Sequence, residues 1–407
     1  MSIKPMIRNN ICLNANPDGF APNVRKQIEY AKKNLEKDGS ARLANSGDSP
    51  KLALIAGCSN GYGLASRVCA AFGYGAATVG LSFENEPTEK RSGTPGYYNN
   101  KAFDEEALKE GIVSITLNGD AFSDDIKLKT AGAVRQAAAK AGIPAEIDLF
   151  IYSLASPVRT DPKTGVMHKS VIKPIGAPFK GNTLNVMDGT FSATEAAAAS
   201  EEEIFNTVKV MGGEDWELWM DALDREGLLT PRTRAAAYTY IGPQSSWAIY
   251  KNGTIGKAKE DLERACCDIN KKFGVSHNGV SGGKIKGAWV SVNKALVTRS
   301  SAVIPTIPLY ITCLFKVMKE MGLHEGCVEQ ITRLYRDKLY TADGIVPVDS
   351  EGRIRIDDWE MREDVQKAVA EKMKKITVEN VFTEADIAGF RNDFLEAHGF
   401  SSEDVIS

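Results

Sequence analysis

The residues of this sequence with the most distinctive chemistry are a tyrosine and two lysines that follow it closely. Tyr250 precedes Lys257 and Lys259 in the segment Tyr-Lys-Asn-Gly-Thr-Ile-Gly-Lys-Ala-Lys. A tyrosine hydroxyl can donate a hydrogen bond to an oxygen on which negative charge develops, and a nearby ammonium group can hold a ribose and lower the pKa of the phenol. This combination is typical of hydride transfer between a nicotinamide and a carbonyl or enoyl group.

The spacing leaves open which lysine is the partner of Tyr250. On a continuous helix seven residues turn through about 700° and nine through about 900°, so Lys257 would share a face with Tyr250 and Lys259 would not. Two glycines within the segment, however, predict that the helix begins only near Thr254. Tyr250 would then lie in the preceding loop, where this rule does not apply, and both lysines remain candidates.

A glycine-rich turn is a candidate binding site for a dinucleotide. The apolar run 52–56 predicts a buried strand, and Gly57, Gly61 and Gly63 lead from it into a helix that we expect to open at Leu64. Such glycines permit a sharp turn, close approach of a pyrophosphate to backbone N–H groups, and close packing of helix on strand. The spacing G-x3-G-x-G resembles the turn of short-chain dehydrogenases/reductases, although glycine-rich turns also serve packing alone.

Two acidic residues follow the next two predicted strands. Glu84, 21 residues after Gly63, ends the predicted strand 77–83 and could accept hydrogen bonds from both ribose hydroxyls of the adenosine. A carboxylate there would repel a 2′-phosphate, which favours NADH over NADPH. Asp120, after the predicted strand 112–117, could accept from the adenine amino group. The alternatives are a solvated carboxylate for Glu84 and a simple turn residue for Asp120.

The composition of the chain disfavours several classes of function. With 407 residues, 43% of them hydrophobic, the chain can bury a large core as one big domain or two closely packed ones. A net charge of −3 provides no basic surface, so we expect no nucleic-acid partner. The seven cysteines lack C-x-x-C spacing, which indicates reduced thiols in the cytoplasm. The histidines share no metal-ligand spacing, so we expect no metal site.

The most apolar stretch, 302–318, does not have the pattern of a membrane span. It is too short, and Pro305, Pro308 and Lys316 interrupt it. We expect a buried helix or a wall of a substrate pocket instead. The first residues, Met-Ser-Ile-Lys-Pro, lack the apolar run of a signal peptide.

The alternation of apolar runs and helical periodicity predicts how these residues are positioned. We expect an α/β fold, a Rossmann-type doubly wound parallel sheet with a lid insertion and additional C-terminal helices, in which residues 1–407 form a single enlarged domain and 155–230 form the insertion. Turns are expected at 161–165 and 187–189, and an acidic helix is expected to begin within 193–203. The six predicted strands are 52–56, 77–83, 112–117, 147–154, 235–241 and 287–292. The predicted helices include 22–37, 104–111 after a long loop at 85–100, 124–142, 254–273, 307–322, 327–339, 360–376 and 384–396.

Several segments together resemble the trans-2-enoyl-CoA reductase family, which includes the FabV class of enoyl-acyl carrier protein reductases. The similarity extends from Lys4 to Phe400 and is therefore far more specific than any single motif. The segments that carry it are Gly-Cys-Ser-Asn-Gly-Tyr-Gly at 57–63, Tyr-Ser-Leu-Ala-Ser-Pro at 152–157, Val-Met-Gly-Gly-Glu-Asp-Trp at 210–216, Tyr-Thr-Tyr-Ile-Gly at 238–242, and 250–259.

The resemblance implies a monomeric enzyme of an enlarged short-chain-reductase fold. It would use NADH to saturate the C2=C3 bond of a 2-enoyl thioester, carried on CoA or on acyl carrier protein, in fatty acid synthesis. In this family the Y-x8-K lysine functions, which selects Lys259; Tyr250 would be the catalytic donor, Tyr240 would contact the substrate thioester, and 300–310 would line the acyl pocket or pack in the core. The implied cofactor-binding residues are Gly57, Cys58, Ser59, Asn60, Gly61, Tyr62, Phe83, Glu84, Asp120, Ala121, Leu154, Ala155, Lys259, Leu296, Val297 and Thr298.

Two alternative functions follow from the same residues. A short-chain ketone or alcohol dehydrogenase would show Tyr-x3-Lys, whereas Thr254 stands four residues after Tyr250. A regulator that binds NADH without chemistry would have no need of Tyr240, Tyr250 and Lys259 together. Both alternatives are therefore less favoured than the enoyl reductase.

Overall fold

The computed structural model describes residues 3–8, 11–35, 49–275, 283–298, 306–401 and 404. Its strands are β1 (Ile7–Arg8), β2 (Ile11–Cys12), β3 (Leu52–Ala56), β4 (Ala77–Ser82), β5 (Ser114–Asn118), β6 (Ile147–Tyr152), β7 (Val158–Thr160), β8 (Met167–Lys169), β9 (Phe179–Leu184), β10 (Phe191–Ala196), β11 (Leu229–Thr239), β12 (Gly287–Val292) and β13 (Ile354–Arg355). Its helices are α1 (Phe20–Ala31), α2 (Gly61–Val68), α3 (Pro95–Lys109), α4 (Asp124–Ala141), α5 (Glu201–Met211), α6 (Glu214–Arg225), α7 (Thr254–Lys272), α8 (Ile307–Glu320), α9 (Cys327–Leu334), α10 (Glu363–Lys375), α11 (Val381–Glu384) and α12 (Ile387–Glu396).

Seven parallel strands form the central sheet, in the order β13-β12-β11-β6-β3-β4-β5. The order runs outward in both directions from β3 and β6, so the sheet is doubly wound and the crevice of such a fold lies where these two strands part. This confirms the predicted Rossmann-type fold. The prediction of six strands was wrong, because β13 adds a seventh at the edge; its two residues are too few for any periodic pattern.

Both faces of the sheet are covered. Alternate residues of β3 belong to separate clusters: Ala53 and Ile55 pack with α1, α2 and α9, whereas Leu52 and Leu54 pack with α4, α6 and α7. All residues of β3, β4 and β6 are buried. Continuous apolar strands are expected where a parallel sheet is sandwiched between helices, which is the physical reason why these strands could be predicted.

Two antiparallel hairpins follow β6, formed by β7 with β8 and by β9 with β10. The turns predicted at 161–165 and 187–189 connect these pairs and are confirmed. The start predicted for the acidic helix was too early, because 193–196 belong to β10. The helix α5 begins at Glu201, where the Ser200 and Glu203 side chains form a reciprocal capping box.

The segment 85–100 was predicted as a loop, but its last six residues belong to α3. Pro95 occupies the first turn of this helix, where its missing N–H costs nothing. Gly96 is typical of a loop, but it lies within α3. A Cβ at this position would overlap the carboxylate of Glu84, so only a glycine allows this close approach. The glycine therefore serves a close approach of helix and strand and does not mark a loop.

The helix predicted at 104–111 corresponds to the C-terminal part of α3. The other predicted helices are confirmed with shifts of a few residues at their ends, and the last two residues of the helix predicted at 22–37 lie outside the described residues. The segment predicted at 327–339 is α9 followed by a π-helical turn, Tyr335–Leu339. Within the described part of the chain, no helix combines the length and hydropathy that a membrane crossing needs. The glycine- and serine-rich composition of 39–50 predicts a linker, and the glycines within 275–283 predict a lengthened connection before the sixth predicted strand. Most of both segments lies outside the described residues.

Candidate active site

A cleft of about 1010 Å³ opens at the carboxyl ends of the strands, above the point where β3 and β6 part. It brings together Tyr240, Tyr250 and nearly all the predicted cofactor-binding residues. Those that line it are Gly57, Ser59, Asn60, Gly61, Tyr62, Phe83, Glu84, Asp120, Ala121, Leu154, Ala155, Lys259, Leu296, Val297 and Thr298. Cys58 does not line the cleft; its buried thiol points beneath the turn, 3.5 Å from Oδ1 of Asn100.

The glycine turn at the end of β3 has the shape of a phosphate cradle. Gly57 has φ +86°, and a Cβ there would overlap the carbonyl oxygen of Ser153. A Cβ on Gly63 would overlap the carbonyl oxygen of Gly57, so this glycine permits close packing of helix on strand. Helix α2 begins at Gly61, in the cleft wall, and no side chain of the described residues caps its N-terminus. Its free N–H groups and positive dipole end therefore fit the pyrophosphate of a dinucleotide.

The carboxylate of Glu84 is held in place at the end of β4. Its Oε1 accepts hydrogen bonds from Oγ of Ser59 at 2.6 Å and from Nδ2 of Asn60 at 3.3 Å. The side chain of Asn118 exchanges two hydrogen bonds of 2.8 Å with the backbone of Glu84. This half-buried, fixed carboxylate fits ribose hydroxyls and opposes a 2′-phosphate.

Two asparagines that no motif of the sequence indicates support the glycine turn. Nδ2 of Asn99 donates to the carbonyl oxygen of Ser59 at 2.9 Å and to Oδ1 of Asn60 at 3.2 Å. Nδ2 of Asn100 donates to Oγ of Ser82 at 2.9 Å. Both asparagines lie on α3, in the stretch predicted as a loop. Adjacent buried asparagines could have been predicted only if that helix had been recognised.

The two candidate tyrosines lie against each other in the cleft wall. The rings of Tyr240 and Tyr250 meet edge to face, with centroids 5.1 Å apart and planes at 75°. Tyr250 precedes α7 in a turn, and its carbonyl oxygen accepts from the N–H groups of Gly253 and Gly256, both at 3.1 Å. Within the described residues, the hydroxyl of Tyr250 has no hydrogen-bond partner, so it is available to a ligand.

The structure distinguishes between the two lysines. Lys259 lines the cleft, and its Nζ donates to the carbonyl oxygen of Tyr238 at 3.2 Å. Lys257 is exposed and pairs with Glu260 at 2.7 Å. The facing rule fails because Tyr250 lies outside the helix, as the glycines indicated. Lys259 is therefore the lysine that can reach a ligand in the cleft.

Burial changes the acidity of the cleft side chains. It lowers the pKa of Lys259 to about 8. It raises the pKa of the Tyr250 phenol, in the direction opposite to the lowering expected from a nearby lysine. Tyr250 is therefore protonated at neutral pH and can act as a hydrogen-bond donor.

The predicted acyl pocket is only partly described. Ile307 and Ile311 of α8 line the cleft, close to the segment 295–298 that follows β12. Residues 300–305 lie outside the described residues. No group of three or more histidine, cysteine, aspartate or glutamate side chains in the described chain is arranged to hold a metal ion.

The doubly wound sheet, the glycine cradle at its switch point and the fixed carboxylate after the second strand define a dinucleotide-binding protein of the Rossmann type. Comparison with known families then specifies the protein further. The chain belongs to the trans-2-enoyl-CoA reductase family: residues 91–340 match the catalytic region of trans-2-enoyl-CoA reductase, and residues 2–89 match its NAD(P)H binding domain. The resemblance found in the sequence is confirmed.

Individual relatives agree along nearly the whole chain. The trans-2-enoyl-CoA reductase [NADH] of Treponema denticola is 55% identical over 405 residues, which are 100% of this chain and 97% of that protein. An enoyl-[acyl-carrier-protein] reductase [NADH] of Flavobacterium johnsoniae is 50% identical over 98% of this chain and 95% of its own. The crystal structure of the Treponema denticola enzyme in complex with NAD superposes with a TM-score of 0.91, covering 99% of this chain and 96% of that one. A Clostridium acetobutulicum trans-2-enoyl-CoA reductase in complex with NADH, 40% identical, superposes with a TM-score of 0.89 over 98% of this chain and 95% of that one.

Residues 348–405 also match an enoyl reductase FAD binding domain. The residues of this segment that line the cleft are Asp393, Glu396 and Ala397, and two carboxylates there oppose a flavin pyrophosphate. Gly389 lies where a Cβ would overlap the Asp386 carboxylate, so it serves packing. The described part of the segment contains no strand that leads through a glycine-rich turn into a helix. Its residues therefore do not fit FAD, whereas the turn after β3 fits NADH.

Proposed function

We propose that this protein uses NADH to reduce the C2=C3 double bond of trans-2-enoyl thioesters to saturated acyl thioesters, on CoA or on acyl carrier protein, in fatty acid synthesis. The observation that carries the proposal is the position of the Tyr250 hydroxyl. It lies in the same cleft as the glycine cradle and Lys259, and it has no partner among the described residues. The names of the relatives support the choice of cofactor and substrate.

The residues of the cleft would act on the charge that the reaction creates. When bound, reduced nicotinamide supplies a hydride, which C3 of the substrate accepts while negative charge develops on the thioester oxygen. Tyr250 donates a hydrogen bond to that oxygen and stabilises the enolate until C2 takes up a proton that comes ultimately from solvent, which completes the addition of a hydride and a proton across the double bond. Tyr240 packs beside Tyr250 and contacts the thioester. The buried surroundings exclude water and strengthen the hydrogen bond.

The other predicted residues would hold the cofactor along the crevice. Glu84 binds the ribose of the adenosine, and Asp120 and Ala121 contact the adenine. Lys259 binds the second ribose or the pyrophosphate with its ammonium group. The remaining contacts come from the turn after β3, from Phe83, and from Leu154, Ala155, Leu296, Val297 and Thr298.

We also propose that the insertion 155–230 acts as a lid on the substrate side. It contributes Ser156, Pro157, Val210 and Met211 to the cleft wall. The protein would act as a monomer in the cytoplasm, and its seven free cysteines agree with a reducing compartment. Light scattering of the purified protein tests whether it is a monomer.

The absorbance of NADH tests the proposed function. The wild-type protein is expected to oxidise NADH with crotonyl-CoA and to form butyryl-CoA in equal amount. Rates with crotonyl-CoA, dodecenoyl-CoA and an enoyl-acyl carrier protein would identify the carrier and the chain length preferred. Oxidation of NADH by a ketone but not by any enoyl thioester would indicate a dehydrogenase, and NADH binding without oxidation would indicate a regulator.

A further inference from the structure

A buried glutamate lies directly behind the wall of the active-site cleft. Glu360 is 0% exposed and belongs to the turn between β13 and α10. Its Oε1 accepts hydrogen bonds from the hydroxyls of Tyr240, at 3.2 Å, and Tyr310, at 2.7 Å. Its Oε2 accepts from the backbone N–H of Ala295 at 2.7 Å. Both carboxylate oxygens are therefore occupied.

The partners of Glu360 come from three separate parts of the chain. Tyr240 follows β11, Ala295 follows β12, and Tyr310 lies on α8. Tyr240 and Ala295 line the cleft, whereas Glu360 does not. The carboxylate thus joins the ends of two neighbouring strands from behind the cleft wall, at the substrate end of the site.

This arrangement is costly if its purpose is packing alone. Glu360 forms no ion pair within the described residues, and burial raises its pKa. The ammonium group of Lys294 attracts the carboxylate, but its Nζ donates to the carbonyl oxygens of Ala295 and Glu325, at 3.2 and 3.4 Å. An apolar side chain of similar volume would avoid the cost of desolvating a carboxyl group. An apolar residue could not accept the three hydrogen bonds, so these bonds are the reason for a carboxylate at this position.

The hydrogen bond to Glu360 also determines what Tyr240 can do. A hydroxyl has one proton, and Tyr240 donates it to Glu360, so Tyr240 can contact the thioester but does not donate a hydrogen bond to it. The ring of Tyr240 is thereby fixed against that of Tyr250, whose own proton has no acceptor among the described residues. The orientation of the Tyr250 hydroxyl therefore depends on the contact of Glu360 with Tyr240 and on the contact of Tyr240 with Tyr250.

We propose that Glu360 is a positioning residue for the reduction: it holds Tyr240 and the backbone at Ala295 so that the Tyr250 hydroxyl faces the thioester oxygen. The inference rests on the proposed function. Glu360 touches neither substrate nor cofactor and acts only through these neighbours.

A double-mutant cycle of Glu360→Gln with Tyr240→Phe tests the proposal. An amide cannot accept on both of its polar atoms, so Glu360→Gln loses either the Ala295 contact or the hydroxyl contacts. We expect kcat for crotonyl-CoA to fall about tenfold, with KM and the NADH dissociation constant within about twofold of wild type. In the Tyr240→Phe background, Glu360→Gln is expected to lower kcat less than about twofold, because the hydrogen bond through which Glu360 mainly acts is already absent.

Asp357→Asn is the matched control for the removal of a buried carboxylate. Asp357 lies three residues upstream, is 1% exposed, and pairs with Arg355 at 2.6 Å; within the described residues it pairs with no residue of the cleft wall. The Asp357→Asn variant is expected to have a lower melting temperature than wild type and an unchanged kcat. If Glu360→Gln does not fold, Glu360→Asp replaces it, since it keeps the charge but is too short to reach all three partners; the expected loss of kcat is then about threefold.

The outcomes separate this inference from the function on which it rests. If wild type fails to oxidise NADH with any enoyl thioester, the proposed function is wrong. If wild type is active but Glu360→Gln and Tyr240→Phe lower kcat additively, or Glu360→Gln changes kcat no more than Asp357→Asn does, then Glu360 is only structural and the inference is overturned.

Discussion

The cleft consists of two halves that are constructed in different ways. The cofactor half, formed by the turn 57–63 with Glu84 and Asp120, comes from three successive strand ends and relies mainly on backbone shape. The substrate half is formed by Tyr240 and Tyr250, and it depends on contacts with distant parts of the chain. Lys259 and the segment 295–298 lie on the border between the halves, because both are proposed to bind the cofactor. The side chains of the substrate half are fixed by contacts over large sequence separations, such as the 120 residues between Tyr240 and Glu360. Side-chain changes in the substrate half should therefore affect the chemistry and leave the cofactor bound.

Tyr250→Phe is expected to have the largest effect and tests this separation most severely. Loss of the only hydrogen bond proposed to the developing oxyanion should lower kcat about 10²–10³-fold. The NADH dissociation constant, measured by fluorescence, should stay within about twofold of wild type. Tyr74→Phe is the control, because the Tyr74 hydroxyl is buried without a partner in the described chain and lies outside the cleft. Loss of NADH binding in Tyr250→Phe would show that the two halves are not independent.

Lys259→Met and Lys257→Met are a matched pair on the border between the halves. Lys259→Met removes the ammonium group from the cleft and should weaken NADH binding about tenfold or more, because hydrogen bonds to charged groups are worth about 1.5–3 kcal/mol. Lys257→Met breaks only an exposed ion pair with Glu260 and should change activity less than about twofold. Titration of NADH against each variant measures both effects. A larger loss in Lys257→Met would reverse the assignment.

Glu84→Gln sharpens the description of the cofactor half. The amide is neutral and loses one acceptor for the ribose hydroxyls, so we expect NADH to bind about five- to tenfold more weakly. The discrimination against NADPH should decrease, since the charge that repels a 2′-phosphate is gone. Glu86→Gln, an exposed carboxylate two residues further on, is the control. Unchanged ratios of NADH to NADPH affinity would contradict the role of Glu84.

The pH dependence of NADH binding is the smallest expected effect. The pKa of Lys259 in the folded protein is about 8, below its ordinary value of 10.5, so the charged form is lost as pH rises through about 8. NADH affinity should fall several-fold between about pH 7 and pH 9 and should be flat over this range in Lys259→Met. The stability of the NADH-free protein depends on pH in the opposite direction. The unfolded chain keeps the proton of Lys259 up to about pH 10.5, whereas the folded protein loses it at about pH 8. The free energy of unfolding therefore rises with pH between these two values.

The difference between the halves also explains what could be predicted from the sequence. The glycine turn and Glu84 were found because they are adjacent to apolar strands with an unmistakable pattern. Helix α3 was partly missed, since Gly96 indicates a loop unless its contact with Glu84 is known. Lys259 was selected only through the family resemblance, and the structure supplies the physical reason, because Tyr250 lies before α7. Glu360 could not be found, since its partners are 50 to 120 residues away in sequence.

A structure of the protein with NAD and a saturated acyl-CoA would test the central claim most directly. We expect the pyrophosphate on the turn from Gly57 to Gly61 and the Tyr250 hydroxyl about 3 Å from the thioester oxygen. The Tyr240 hydroxyl should remain on Glu360. A thioester oxygen bound by another group, with Tyr250 turned away from the substrate, would contradict the account.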